Sequence, residues 1–361
     1  MATEPAGIDI YAPQFRVSFP EGGGIAEKEF ARNVTGIEVE ENLDAPAMFR
    51  ISLHEEFNIT SQTYQWLDNK NLRPGLKVEL FFGYTQQEKV PQVTGRVKAI
   101  TPAFQSASVP TMSLEGYDLS QDLQKSEKKF NPENVRYSDV AQELAQLNKL
   151  RPDKVEDTKI RYPKVERDKN DKDYDLLKKL AGKIGFEFFV RKDVLYFRKP
   201  QDDKEPEFTY EYGKNIVNFT PRMATSFLAN EVVVVGWDPK TKDKFSGTAG
   251  ISDIKTGAGF SDMDRFIEQS QGEKVSIKVE GRVLHSNQEA KDLAVAELKR
   301  RNAGFIQGTL EIAGDPRLRP GMTVSILKVG DRFSGRYYVT KAKHTIGDGG
   351  YRTSLDVRRC I

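Results

Sequence analysis

Leu318-Arg319-Pro320-Gly321 occurs once before in the chain, as Leu72-Arg73-Pro74-Gly75, and the residues after the two copies agree. After the first come Val78 and Leu80, then Thr94-Gly95-Arg96-Val97; after the second come Val324 and Ile326, then Ser334-Gly335-Arg336-Tyr337. A third segment comes next in each case, Ser113-Leu114-Glu115 and Ser354-Leu355-Asp356. The matched order of turn, strand, glycine-arginine strand and third strand implies two related barrel-like β domains in one chain. The turn itself has a plain physical account. Proline fixes φ, glycine accepts the dihedral that starts the next strand, and leucine closes over the barrel or sheet edge. Leu72, Arg73, Pro74, Gly75, Leu318, Arg319, Pro320 and Gly321 are therefore read as structural turns and not as a chemical site.

Working outward, apolar residues alternate at Phe15, Val17 and Phe19, at Ile37 and Val39, and at Phe49, Ile51 and Leu53, the period of strands with one buried face. Thr60 to Leu67 is expected to be a short helix with Thr60 as its N-cap. Strands are expected again over Lys77 to Tyr84, Gln92 to Pro102 and Val109 to Tyr117. From about residue 120 the period changes. Val140, Leu144 and Leu147 fall at helical spacing, as do Leu177, Leu180 and Ile184 with Gly185 placed to end the helix, and a hairpin turns at Lys192-Asp193.

Glu231-Val232-Val233-Val234-Val235 is uniformly apolar after its first residue and is expected to be a central strand covered on both sides. Residues 240 to 262 read as a long exposed hairpin or loop, with Lys240, Lys242, Lys244 and Phe245 as candidate subunit contacts. Ser286-Asn287-Gln288-Glu289 is a capping-box pattern opening a helix at about 287–301. The expected fold is mainly β with an α+β insert: a first barrel-like β domain over 1–120, an α+β middle domain over 121–222, and a second barrel-like β domain over 223–361.

Lys and Arg number 55 against 53 Asp and Glu, so the net charge of +2 supplies no field to draw in nucleic acid or an anionic membrane. The single cysteine, Cys360, excludes an intramolecular disulfide and a multi-cysteine metal site. The start Met1-Ala2-Thr3-Glu4-Pro5 lacks the basic and apolar stretches of a signal peptide, and no run is long enough to span a bilayer. Export by the ordinary secretory route and membrane insertion are not expected.

No catalytic pattern is complete. His54, His285 and His344 lie far apart, without metalloprotease spacing. Asp168 to Asp173 resembles a calcium loop but lacks glycine at its sixth position and has Lys179 where the bidentate glutamate belongs, so helix capping is the better reading. Gly257-Ala258-Gly259 lacks the third glycine of a nucleotide-binding turn, and no nucleophile elbow occurs. No catalytic, cofactor or metal residue is assigned.

The run Ser286-Asn287-Gln288-Glu289-Ala290, Leu310-Glu311-Ile312-Ala313-Gly314, Leu318-Arg319-Pro320-Gly321, Phe333-Ser334-Gly335-Arg336-Tyr337-Tyr338-Val339, His344 and Tyr351-Arg352-Thr353-Ser354-Leu355 resembles the C-terminal signature of phage late control D proteins. Asp171 to Leu177, Gly185-Phe186 and Val194 to Phe197 resemble that family's middle region. These are baseplate hubs of contractile tails, similar to the hub-like N-terminal part of VgrG spikes and to hubs of extracellular contractile injection systems. The resemblance implies a non-enzymatic structural protein that forms a homotrimer with six quasi-equivalent modules. Such a ring is expected to join a hexameric inner tube to a trimeric spike, to initiate tube assembly, and to contact a tube-initiator and other baseplate proteins. Assembly in the bacterial cytoplasm into a virion or extracellular injection particle is expected, with the spike as a separate polypeptide. Two other classes stand beside it. One is a tail-tip cell-wall hydrolase with a catalytic α+β insert; the other is a nucleic-acid binder, which would need a basic groove with stacking aromatics.

Overall fold

A computed structural model describes residues 12–360 except 107, 126–132, 166, 169, 227, 239–240 and 255–262. β1 (Pro13–Ser18), a short helix α1 (Glu27–Asn33), β2 (Val34–Asn42) and β3 (Met48–His54) open the chain. β4 (Phe57–Asn58) and β5 (Thr63–Tyr64) form a minimal ladder, and β6 (Lys77–Tyr84), β7 (Val90–Ala103) and β8 (Thr111–Asp118) complete the first module. The helix expected over Thr60 to Leu67 does not form. Asn58 Oδ1 accepts from the backbone N–H groups of Thr60 (3.0 Å) and Ser61 (3.1 Å), and this local competition turns the chain into the β4–β5 hairpin.

The middle segment runs through α2 (Ser120–Leu123), β9 (Glu133–Val135), α3 (Tyr137–Leu147), β10 (Arg151–Val155), β11 (Tyr162–Lys164), α4 (Asp173–Lys183), β12 (Glu187–Arg191) and β13 (Val194–Arg198). Val140 and Leu144 of α3 and Leu177 and Leu180 of α4 pack with Phe188, Leu195 and Phe197 over the three-stranded sheet β10-β13-β12. The helical spacing read from the sequence thus places its apolar stripes on this core, except that Leu147 at the end of α3 is exposed.

β14 (Phe208–Glu211), β15 (Asn218–Met223), β16 (Glu231–Trp237), β17 (Lys244–Gly250), α5 (Met263–Gln271), β18 (Ser276–Val283), α6 (Asn287–Asn302), β19 (Ile306–Ala313), β20 (Thr323–Leu327), β21 (Gly335–Gly347) and β22 (Gly350–Arg359) complete the chain. β14 and all but the last residue of β15 fall inside the segment 121–222, yet they pair with β20 and β19 of the second module. Their partners lie far along the chain, where local pattern gives no hint of them.

The duplication is explicit in strand order. β1-β6-β7-β8-β3-β2 in the first module corresponds to β14-β20-β21-β22-β19-β15 in the second, with one departure: β14 runs parallel to β20 where β1 runs antiparallel to β6. Ladder registers align residues. Leu114 faces Ile51, which faces Ile37; Leu355 faces Leu310, which faces Phe219. β7 and β21 share a bulge at the same place, between Val97 and Ala99 and between Val339 and Lys341. This alignment corrects one sequence correspondence. Val78 faces Gly95 whereas Val324 faces Tyr337, so Gly95-Arg96 and Gly335-Arg336 are displaced by two residues and are not equivalent.

The outer edge of β2 pairs antiparallel with β21, setting Ile37 opposite Ile346, Val39 opposite His344 and Glu41 opposite Ala342. Eight strands, β7-β8-β3-β2-β21-β22-β19-β15, therefore form one continuous wall. A separate three-stranded sheet, β17-β16-β18, carries α6 on one face. β16 is its central strand, but burial alternates: Val232 and Val234 are buried, while Val233 and Val235 are only half-buried, so it is not covered on both sides. The stretch over 240–262, expected as a long exposed hairpin or loop, contains β17, which pairs antiparallel with β16 as a hairpin, and a 3-10 turn at Ile251–Asp253. Gly247 makes β17 a docking strip, because a Cβ there would lie 2.1 Å from the Lys291 backbone nitrogen of α6. Ser286 caps α6 as expected, accepting from the Glu289 N–H at 3.1 Å. Among the described residues no helix is long and apolar enough to cross a membrane.

Candidate functional site: the joint at the second turn

Both Leu-Arg-Pro-Gly copies adopt one geometry. Gly75 and Gly321 have φ of +90° and +83°, the left-handed region that glycine occupies without a Cβ penalty. Gly75 N–H donates to Val97 O and Gly321 N–H to Val339 O, each at 2.8 Å, and each valine N–H returns a bond to the residue after the glycine. Leu72 and Leu318 are both buried.

Their surroundings differ. Arg73, Pro74 and Gly75 are exposed, whereas Arg319, Pro320 and Gly321 are buried. Arg319 reaches from the second module into the first: Nη1 donates to Glu41 Oε1 at 3.0 Å and to Gln92 O at 3.2 Å, and Nη2 donates to Pro91 O. The turn's carbonyls are held by the middle segment, with Arg191 donating to Pro320 O (3.0 Å) and Arg198 to Gly321 O (3.2 Å). His344 Nε2 donates to Leu318 O at 3.1 Å, which leaves Nδ1 to accept from the Tyr351 hydroxyl at 2.9 Å and the Thr353 hydroxyl at 3.1 Å. Burial, helped by the neighbouring Arg319 charge, pushes the His344 pKa down to about 3 and keeps the ring neutral.

Further bonds close the joint. Tyr84 Oη donates to Gly314 O at 2.7 Å, Gln92 Nε2 to Pro316 O at 3.0 Å, and Tyr338 Oη to Glu187 Oε2 at 2.6 Å. Burial raises the Glu187 pKa although Tyr338 and Arg198 oppose it. Asp118 sits behind Glu41; it accepts from Ser120 N–H at 3.0 Å and from the Ser120 hydroxyl at 2.5 Å, while burial raises its pKa to about 7. The arrangement can fix three bodies relative to one another. It offers no nucleophile paired with a base.

The other sequence candidates disperse. His54 lies at the end of β3, and His285 Nδ1 sits 2.9 Å from Asp238. Asp168 pairs with Lys179, and Asp173 accepts from Arg167 at 2.5 Å and from Asn148 at 3.0 Å. Among the described residues no cluster of metal-ligating side chains occurs. Lys240 and the Gly257-Ala258-Gly259 turn lie outside the described residues. Lys242 and Lys244 are exposed; Phe245 packs partly against the second module's core. Sequence reasoning missed Glu41, Gln92, Arg191 and Arg198. Only the buried-charge side of Arg319 signals them, and its partners lie too far along the chain to read.

The chain belongs to the family described as the Alg8 N-terminal domain, whose model matches residues 23–348. No curated protein matches it. Among solved structures, the 43 kDa tail protein of prophage MuSo2 from Shewanella oneidensis is similar at a TM-score of 0.72 and 13% identity, over 96% of this chain and 98% of that one. A tail protein from Neisseria meningitidis MC58 is similar at 0.69 and 13% identity, over 96% and 97%. The E. coli c3393 protein, a type VI secretion component with structural similarity to T4 tail proteins gp27 and gp5, is similar at 0.53 and 11% identity, over 90% and 73%. The fold is thus that of phage tail proteins, as the sequence resemblance implied.

Proposed function

We propose that the protein is the structural baseplate hub of a contractile phage tail or contractile injection system. Three chains form a ring with pseudo-six-fold symmetry that joins a hexameric inner tube to a trimeric spike and initiates tube assembly. One observation carries this reading: a single chain holds two modules of the same strand order, joined side by side in one eight-stranded wall. Three such chains present six similar modules to a six-fold neighbour while keeping true three-fold symmetry for the other. Three hydrophobic clusters, one per module and one in the middle segment, support the division into two β domains and an α+β domain.

The likeness to tail proteins supports a place in a virion or injection particle, built in the bacterial cytoplasm, beside spike, tube and other baseplate proteins. The hydrolase alternative draws no support from the insert, where Asp139, Asp173 and Glu187 are each engaged by an arginine. Native mass measurement of the purified protein, alone and with its spike and tube partners, tests the proposal. A three-chain ring is expected. A strictly monomeric protein in the presence of both partners overturns it.

A further inference from the structure

The eight-stranded wall ends in two edges, β15 and the distal half of β7, and among the described residues neither has a partner strand on its outer side. These edges are the counterparts of β2 and β21, which pair with each other inside the chain. The aligned registers make Phe219, Pro221 and Met223 equivalent to Ile37, Val39 and Glu41, and Ile100 and Pro102 equivalent to Ala342 and His344; Phe104, one residue past the end of β7, continues that alternation to the place of Ile346.

Burial separates the two sets completely. Ile37, Val39, Glu41, Ala342, His344 and Ile346 are all at most 7% exposed. Each of their six counterparts is half-buried or exposed, and Phe104 is 57% exposed where Ile346 is 7% exposed. Tyr64, 5.5 Å from the Phe104 ring, and the exposed Phe57 extend this patch, an apolar surface of the kind that marks an interface. What covers β21 is β2; what would cover β7 is another β15.

We propose that β15 of one copy adds antiparallel to the distal edge of β7 in the next, in the register of the internal β2–β21 junction. Phe219 then faces Phe104, and Met223 faces Ile100. Pro221 falls opposite Pro102, so the two residues that lack an N–H meet each other and neither leaves a donor unpaired. The contact is head-to-tail, and repeating it extends the wall from copy to copy. This inference rests on the ring reading and names its seam.

The test mixes two single-cysteine chains in a Cys360→Ser background, one carrying Arg222→Cys and the other Thr101→Cys, the pair equivalent to Glu40 and Lys343. Mild oxidation is expected to give a covalent two-chain product, and replacing Thr101→Cys by Ala99→Cys, displaced by two residues, is expected to reduce its yield at least tenfold. Phe104→Ser, a change at an exposed position, is expected to weaken association at least tenfold while the far-ultraviolet spectrum stays unchanged. Rings by native mass without the in-register crosslink and without an effect of Phe104→Ser overturn the seam and leave the ring reading standing. Monomers with no crosslink at any position overturn both.

Discussion

The two Leu-Arg-Pro-Gly turns share backbone dihedrals, a buried leucine and the same glycine-to-valine hydrogen bond, yet one lies at the surface and the other at the meeting point of three cores. Four residues dictate the local shape. They do not dictate what docks on it. The carbonyl of Gly75 is served by Arg96 of its own module, whereas that of Gly321 is served by Arg198 of the middle segment. The same surface-facing backbone groups have been turned, in the second copy, into attachment points for inserted chain.

The comparison is broken most directly at the arginines. Arg319→Ala leaves the buried Glu41 with only Arg191, 3.9 Å away and not hydrogen-bonded to it, and loss of one member of a buried pair costs about 3–5 kcal/mol. Arg73→Ala touches an exposed side chain and is expected to stay within about 0.5 kcal/mol. Urea denaturation of the two variants measures both; equal losses would show that the buried turn holds nothing together. Leu72→Ala and Leu318→Ala are the control, since both leucines are buried and each is expected to cost about 2–5 kcal/mol.

Proton linkage probes the joint next. Burial raises the Asp118 pKa to about 7 from 3.8, so between those values the folded protein holds more protons than the unfolded chain. Its contribution is therefore most favourable in acid and is lost as pH rises towards 7. His344 acts in the opposite sense: with its pKa lowered to about 3 from 6.5, stability is lost as pH falls below 6.5. The two slopes oppose each other over much of the acid range. Asp118→Asn removes one, so the variant is expected to gain on the wild type by up to about 1.4 kcal/mol per pH unit between about 4 and 7, and no further above. A pH-independent difference in denaturation midpoints would contradict the placement of Asp118.

The glycines give a smaller contrast. Gly75→Ala meets no atom within 4 Å and is expected to cost only the left-handed penalty of about 1–2 kcal/mol. At Gly321 the new Cβ would lie 2.7 Å from Arg198 Nη2, so the arginine must also leave the carbonyl, a charged hydrogen bond of about 1.5–3 kcal/mol. Thermal denaturation should rank the second variant below the first; the reverse order would mean that Arg198 yields without loss.

Much of this architecture was legible because it is local. The turn residues, the alternation in β3 and β6, the α4 stripe ending at Gly185 and the Ser286–Glu289 cap all signal within a few residues. The illegible part depends on distant pairing. The Gly-Arg match was out by two residues because register is set by ladders across strands and not by letter identity. β17 was legible only as one of two alternatives, hairpin or loop, because its strip faces α6 through Gly247, a residue with no pattern to offer. The joint escaped notice because Arg319 and Glu41 are 278 residues apart.

The smallest expected effect concerns the exposed pairs along the β2–β21 seam. Lys341–Glu40 at 2.9 Å and Lys343–Glu38 at 3.0 Å have side chains between 26% and 39% exposed, against 8% and 10% for Arg319 and Glu41. A double-mutant cycle on Lys343→Met and Glu38→Gln is expected to give a coupling of about 0.2–1 kcal/mol that shrinks in high salt. Their counterparts at the wall's free ends are Thr101 with Thr220 and Ala99 with Arg222, neither of them a pair of opposite charges, so the strand pairing itself cannot depend on these ion pairs. A coupling as large as the Arg319 effect would instead make the internal seam an electrostatic one and the two ends of the wall poor mates for each other.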